Sequence, residues 1–296
     1  MIELLLIGIG TGNPEHLTLQ AIKALNSADL ILIPRKGADK ADLAELRRSI
    51  CTEVVTNPAT DIVEFDLPRR DQSNPDYRGG VDDWHDAIAA VWSDTIKSEL
   101  PGGGTVALLV WGDPTLYDST LRIASRLNPA PDVKVIPGIT SIQALTASHA
   151  IPLNEIGAPF LVTTGRRLRE AGWPAGANTL VVMLDGDCAF QHLDPSGVTI
   201  WWGAYVGMPQ QITLAGPLAE TGPLIMKARA EAREANGWIM DVYLLRQENK
   251  TEIAGERLPA WRALDRLRAD GRQAGGRDGH DLGQPTPDPG RCAAQQ

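Results

Sequence analysis

Residues 4–19 read LLLIGIGTGNPEHLTL: four consecutive apolar residues, three glycines at positions 8, 10 and 12, then Asn13-Pro14 leading into a segment with helical character. An apolar run with no polar alternation is the pattern of a strand covered on both faces, as in a parallel sheet flanked by helices. Asn13 and Pro14 suit an N-cap and a first-turn proline, and Thr18 offers a second cap for a helix that begins slightly later. The glycines invite comparison with nucleotide-binding loops. A dinucleotide loop needs G-x-G-x-x-G and an acidic residue closing the second strand. This chain has G-x-G-x-G, and its next apolar run, ADLILIP (residues 28–34), ends in Pro34-Arg35, with Asp29 before it instead. The spacing disfavours a dinucleotide, although an arginine at that place leaves room for a 2′-phosphate. The G-x-x-x-x-G-K-[ST] phosphate loop is absent. The glycines therefore predict backbone crowding a cleft, with no requirement for a phosphate.

Outward from this stretch, apolar runs alternate with helical segments: TVALLVW (105–111), VKVIPG (133–138), FLVTTG (160–165), TLVVML (179–184), TIWWGAY (199–205) and WIMDVYLLR (238–246). The rhythm predicts an α/β protein whose N-terminal parallel sheet is doubly wound. The punctuated segment IPLNEIGAP (151–159) predicts a division into residues 1–154 and 155–247. Beyond them, Leu258, Trp261, Leu264 and Leu267 share one helical face, and from Ala269 onward the composition is that of a disordered tail.

The 28 basic and 37 acidic residues leave a formal charge of −9, which argues against nucleic acid or an anionic membrane surface as partner. Three cysteines (51, 188 and 292) form no C-x-x-C unit and predict reduced thiols; no apolar run reaches the ~18 residues of a membrane span. A cytoplasmic location is the expectation. The five histidines form no HxxxH pair, so no metal site is expected. Tryptophans 84, 92, 201 and 202 read as core, and His85, within DDWHDA, as structural unless tested otherwise.

In an open parallel sheet, ligands bind beyond the carboxyl ends of the strands. Four such ends carry unusual loops: the glycines after the first strand, Pro34-Arg35-Lys36-Gly37, WGDPTLYDS (111–119) and PGITS (137–141). The ordered set GIGTGNPEHLTLQA, ADLILIP, WGDPTLY, PGITS, TTGR and TLVVML resembles the tetrapyrrole (corrin and porphyrin) methylase family over about residues 1–246. The resemblance implies two α/β domains with S-adenosylmethionine held in the cleft between them, a small-molecule tetrapyrrole substrate, and a homodimer. It implies donor contacts from Gly10, Thr11, Trp111, Gly112, Asp113, Leu116, Thr140 and Ser141 in the first domain and from Leu184 and Gly207 in the second. Thr11 stands where proline is common in the family, Asn13 where aspartate is, Trp111 where glycine is frequent and Leu184 where a methionine often lies. Within the family, RKGADKADLAELRR and YRGGVDDWHDAIAAVW resemble the deacetylating branch, which implies methylation of precorrin-5 at C-1 with release of acetic acid.

Methyl transfer from a sulfonium needs orientation and a dry cleft more than a protein nucleophile, so no catalytic residue is assigned. A precorrin's acetates and propionates call for arginine forks. The candidates are Arg35 with Lys36, Arg69 with Arg70, and Arg166 with Arg167, with Arg35 and Arg166 preferred and Tyr117 as a cleft-lining residue. Competing readings are a methylase of the same fold acting on another precorrin, ribosomal RNA or the diphthamide precursor, an NADP-dependent oxidoreductase, and a binding module without catalysis.

Overall fold

A computed structural model of the chain describes residues 1–35, 41–70 and 77–248. Lys36, the helical face of residues 258–267 and the composition-biased tail lie outside the described residues. In order, the elements are β1 (Ile2–Gly8), α1 (Leu19–Ser27), β2 (Leu30–Arg35), α2 (Ala41–Val54), β3 (Asp61–Asp66), α3 (Tyr77–Glu99), β4 (Gly104–Val110), α4 (Thr120–Ala124), β5 (Asp132–Ile136) and α5 (Ser141–Ser148). They continue with β6 (Phe160–Thr164), α6 (Gly165–Ala171), β7 (Thr179–Met183), β8 (Val198–Ala204), β9 (Ile212–Pro217), α7 (Leu218–Asn236) and β10 (Asp241–Gln247).

The first sheet has the order β3-β2-β4-β1-β5, and every neighbouring pair is parallel. Its apolar runs serve two cores because alternate residues point to opposite faces. Leu4, Leu6, Leu30 and Leu32 pack with Ile88, Trp92 and Ile96 of α3. Leu5, Ile7, Ile31 and Ile33 pack with Ala21 and Leu25 of α1 and with Ile50 and Cys51 of α2. The doubly wound arrangement follows directly. The opening stretch uses both of its helix-start signals in turn. Asn13 caps a short 3-10 turn, Pro14–His16, and Thr18 Oγ1 accepts the Ala21 N–H at 3.0 Å to start α1.

The second sheet, β6-β7-β10-β8-β9, is mixed: β6 and β7 are parallel, while β10 runs antiparallel to both β7 and β8, and β9 is antiparallel to β8. Trp201 and Trp202 point to opposite faces of β8 and enter separate cores, in agreement with their reading as core residues. Two strands escape a search for apolar runs. DIVEFD (β3) is an edge strand carrying three acids, and ITLAGP (β9) alternates intermediate and exposed positions. From β10, buried Arg246 reaches back to the segment between the sheets. Its Nη2 donates to the carbonyls of Pro152 and Leu153 at 2.9 and 3.2 Å, and its Nη1 lies 3.1 Å from Glu155 Oε1.

Candidate active site

The loops after β4, β1 and β5, three adjacent strands of the first sheet, meet at a crossing made of glycines. A Cβ on Gly8 would fall 2.6 Å from Gly138 N and 2.7 Å from Gly112 O, and one on Gly138 would fall 2.1 Å from Gly112 O. Only chains without side chains pass this closely. Gly112 N–H donates to Gly10 O at 2.7 Å, which extends the β1–β4 contact past the strand ends. Asp113 then ties β4's loop to β5's. Its Oδ2 accepts the Gly138 N–H at 2.9 Å, and its Oδ1 accepts from the backbone and hydroxyl of Thr115 at 2.8 and 2.5 Å. Partial burial alone would raise the pKa of this carboxyl, but the three hydrogen bonds outweigh burial and hold it below the ordinary value.

These loops form one side of a cavity of about 190 Å³, lined here by Gly10, Thr11, Trp111, Gly112, Asp113, Leu116, Tyr117, Asp118, Thr140 and Ser141. Thr140 caps α5, where its hydroxyl accepts the Ile142 N–H and meets the Gln143 side chain. Thr11 is buried with Oγ1 2.9 Å from His16 Nδ1. Trp111 lies against Arg47, whose guanidinium carbon is 5.0 Å from the ring centroid. Arg47 is itself buried, donates to Leu109 O at 3.1 Å, and has its pKa pushed down to about 10 chiefly by that burial.

The opposite side comes from the second sheet: Met183 at the end of β7 and Leu184 after it, Tyr205 and Val206 after β8, and Met240, Asp241 and Val242 entering β10. Three non-glycine residues of the lining hold left-handed backbone, Tyr117 at φ 50°, Leu184 at φ 53° and Tyr205 at φ 50°. Such conformations cost energy and concentrate where a site demands them. Tyr117 spans the two sides, with its hydroxyl 3.3 Å from Val162 O. Asp241 is the sole ionisable side chain of the second-sheet wall apart from the Tyr205 phenol. Its Oδ2 accepts from Arg229 Nε at 2.9 Å and Trp202 Nε1 at 3.0 Å, and the Arg229 and Asp241 side chains are only 12% and 8% exposed. Burial pushes the Asp241 carboxyl up, against the pull of Arg229 and Trp202.

Nine of the ten residues expected from the resemblance to hold a methyl donor, and Tyr117, therefore share one cavity. The tenth, Gly207, stands behind it: a Cβ there would meet Thr11 Oγ1 and His16 Cε1 at 2.5 Å, so its bareness seats Thr11. Arg35 and Arg166 do not line the cavity. Arg35 closes β2 and pairs with Asp66 at 3.0 Å and Glu64 at 3.7 Å, and Arg166 lies on α6, 4.0 Å from Glu170. His85 is buried on α3 beside Trp84, also outside the cavity. Sequence reasoning missed Asp118, Met183, Tyr205, Val206 and the 240–242 segment; the lone acid in WIMDVYLLR was a usable signal for the last. A larger cavity of about 540 Å³ sits at the other edge of the first sheet, around Met1, Gly103 and Pro129, with Lys97 as its single ionisable side chain. It lacks the convergence of polar groups that marks a ligand site. Among the described residues no cluster of three or more His, Cys, Asp or Glu could hold a metal ion, and no helix is long and apolar enough to cross a membrane.

Residues 3–222, which take in the strand-end loops of the parallel sheet and β6 to β9 of the facing mixed sheet, match one family model: the chain belongs to the tetrapyrrole (corrin/porphyrin) methylases. More particularly, it is 52% identical over 251 residues to the precorrin-6A synthase (deacetylating) of Sinorhizobium sp, spanning 83% of this chain and 96% of that protein. The crystal structure of a cobalamin-synthesis-related protein, CobF, from Corynebacterium diphtheriae superposes with a TM-score of 0.72 at 40% identity, covering 84% of this chain and all of that one. A uroporphyrin-III C-methyltransferase from Thermus thermophilus, solved with S-adenosylhomocysteine, shares the fold at a TM-score of 0.52 and 19% identity, over 82% of this chain and 97% of that one.

Proposed function

We propose that this chain is an S-adenosylmethionine-dependent C-methyltransferase of cobalamin biosynthesis that methylates precorrin-5 at C-1 and releases acetic acid, giving precorrin-6A. The observation that carries this reading is the 52% identity to a deacetylating precorrin-6A synthase along nearly that protein's whole length. The chemistry of the cavity lining suits the donor. One wall offers hydroxyls and backbone at Thr11, Gly112, Thr140 and Ser141 for an amino-acid end, and the other offers Met183, Leu184, Val206 and Val242 for a flat base. S-adenosylmethionine supplies an activated methyl group. The chain's own part is to orient the two reactants and to exclude bulk water, which the crossed glycine loops and the tyrosines at positions 117 and 205 support.

In this reading Gly10, Thr11, Trp111, Gly112, Asp113, Leu116, Thr140, Ser141 and Leu184 form the donor site, with Gly207 seating Thr11. Tyr117, at the rim and 46% exposed, faces the tetrapyrrole. Arg35 and Arg166 are outlying grips for its carboxylates, and Arg35 would have to exchange Asp66 and Glu64 for the substrate. Residues 1–154 and 155–247 act as two domains closing on the cleft, and the enzyme works as a cytoplasmic homodimer, which light scattering tests. Turnover of precorrin-5 with the methyl donor is expected to yield one methylated ring product and one acetic acid, read by mass spectrometry and acetate assay. A methylated product that keeps its two-carbon unit would move the chain to another precorrin methylase.

A further inference from the structure

Apart from the Tyr205 phenol, which bonds to the carbonyls of Ala232 and Trp238, the second-sheet wall of the cavity is apolar except at one point. Met183, Leu184, Val206, Met240 and Val242 share this wall with Asp241, whose Oδ2 is held by Arg229 and Trp202 while its Oδ1 has no hydrogen-bond partner among the described residues. A ligand that displaces water from this part of the cavity must offer that oxygen a donor or leave it unmet at a cost in free energy. Arg229 already neutralises the charge of the group, so the open oxygen suits a neutral N–H donor better than a second cation. Resting on the reading of this cavity as the methyl-donor site, we infer that Asp241 is a specificity residue that accepts the 6-amino N–H of the donor's adenine and rejects purines with a 6-oxo group.

The placement follows from polarity. The hydroxyl-rich wall at Thr11, Thr140 and Ser141 suits the amino-acid end, which leaves the flat purine for the apolar wall where Asp241 lies. The one exocyclic N–H donor of adenine is its 6-amino group. Arg229 and Trp202 fix which way the residue can be read, because both donate to Oδ2. In an Asp241→Asn variant they select the amide oxygen for that position, so the amide NH2 is turned to where Oδ1 stood. An acceptor toward the ligand thereby becomes a donor, and a 6-oxo purine becomes the better match.

The test compares S-adenosylhomocysteine with S-inosylhomocysteine, which differs by a 6-oxo group and a protonated N1, in calorimetric titrations of the full chain. Wild type is expected to prefer the adenosyl compound at least tenfold, and Asp241→Asn to lose that preference or reverse it. Melting curves confirm that the variant is folded. If it is not, the wild-type ratio decides alone. Binding of the two compounds by wild type within twofold overturns the role of Asp241, as does a folded variant with the wild-type preference. Failure of wild type to bind either compound overturns the inference together with the donor-site reading, whereas tight but undiscriminating binding spares that reading.

Discussion

Asp113 and Gly112 are neighbours with separable duties. Both carboxylate oxygens of Asp113 are occupied by Gly138 and Thr115, so the residue acts first as a clasp between the β4 and β5 loops. Asp113→Ala is expected to cost about 1.5–3 kcal/mol, the range for a charged hydrogen bond. Because the folded pKa is lowered, the stabilisation is present above the ordinary carboxylate pKa of about 4 and is lost as pH falls through the lowered value. The melting-temperature gap between wild type and variant should therefore be full at pH 7 and close progressively below pH 4. A gap that stays constant to pH 2 would show that the ionised clasp is not its source. At Gly112, a Cβ would meet only Thr140 Cα at an ordinary 3.7 Å, but φ is +62°. Gly112→Val should cost about 1–2 kcal/mol in backbone strain and yet fold, while donor binding falls at least tenfold in calorimetry; unchanged binding would remove Gly112 from the site.

At the scale of elements, strand direction explains what the sequence revealed and what it hid. The loops that carry Gly10, Thr11, Gly112, Leu116 and Thr140 were legible because parallel strands deliver all their carboxyl ends to one edge, and each loop there carries local punctuation; the individual residues came from the family resemblance. Met240, Asp241 and Val242 were not, because β10 is antiparallel to its neighbours and presents its amino end to the cavity, where that rule does not look. Arg35 was chosen as a cation at a strand end. Its partners Asp66 and Glu64 sit on β3, and that pairing is invisible until β3 is known to lie beside β2. Arg246 shows the converse, a charged residue at the end of an apolar run that turns out to be buried. Arg246→Met would strip the donors from the carbonyls of Pro152 and Leu153, at an expected cost of about 1.5–3 kcal/mol and a fall of about 4–10 °C in melting temperature. A shift under 1 °C would show that the tether between the sheets carries no load.

For the whole molecule, the doubly wound first sheet was readable because a covered parallel sheet needs apolar residues on both faces of its inner strands, and residues 4–7 declare that at once. The mixed second sheet was read only as α/β, since β9 has one exposed face and resembles a loop in composition. If the cavity is the donor site, S-adenosylhomocysteine should raise the melting temperature of the intact chain and NADP should not, because only a ligand of the folded state stabilises it. A rise with NADP alone would reverse the choice between the two cofactor classes. Removing the residues after 269, too poor in apolar side chains to offset an ordering entropy, should leave that rise unchanged; its loss would assign the tail a part in the site.

The glycine crossing has a consequence for anyone reading this protein through saturation mutagenesis. Gly8 and Gly138 face backbone atoms at 2.1 to 2.8 Å, so every replacement there must push chains apart. Scored by cellular abundance and by methylation side by side, those two positions should fail on both axes. Gly112, a few ångströms away in the same crossing, should retain much of its abundance while losing activity, so a map of the ligand contacts would be drawn from the discrepancy between the two scores and not from intolerance alone.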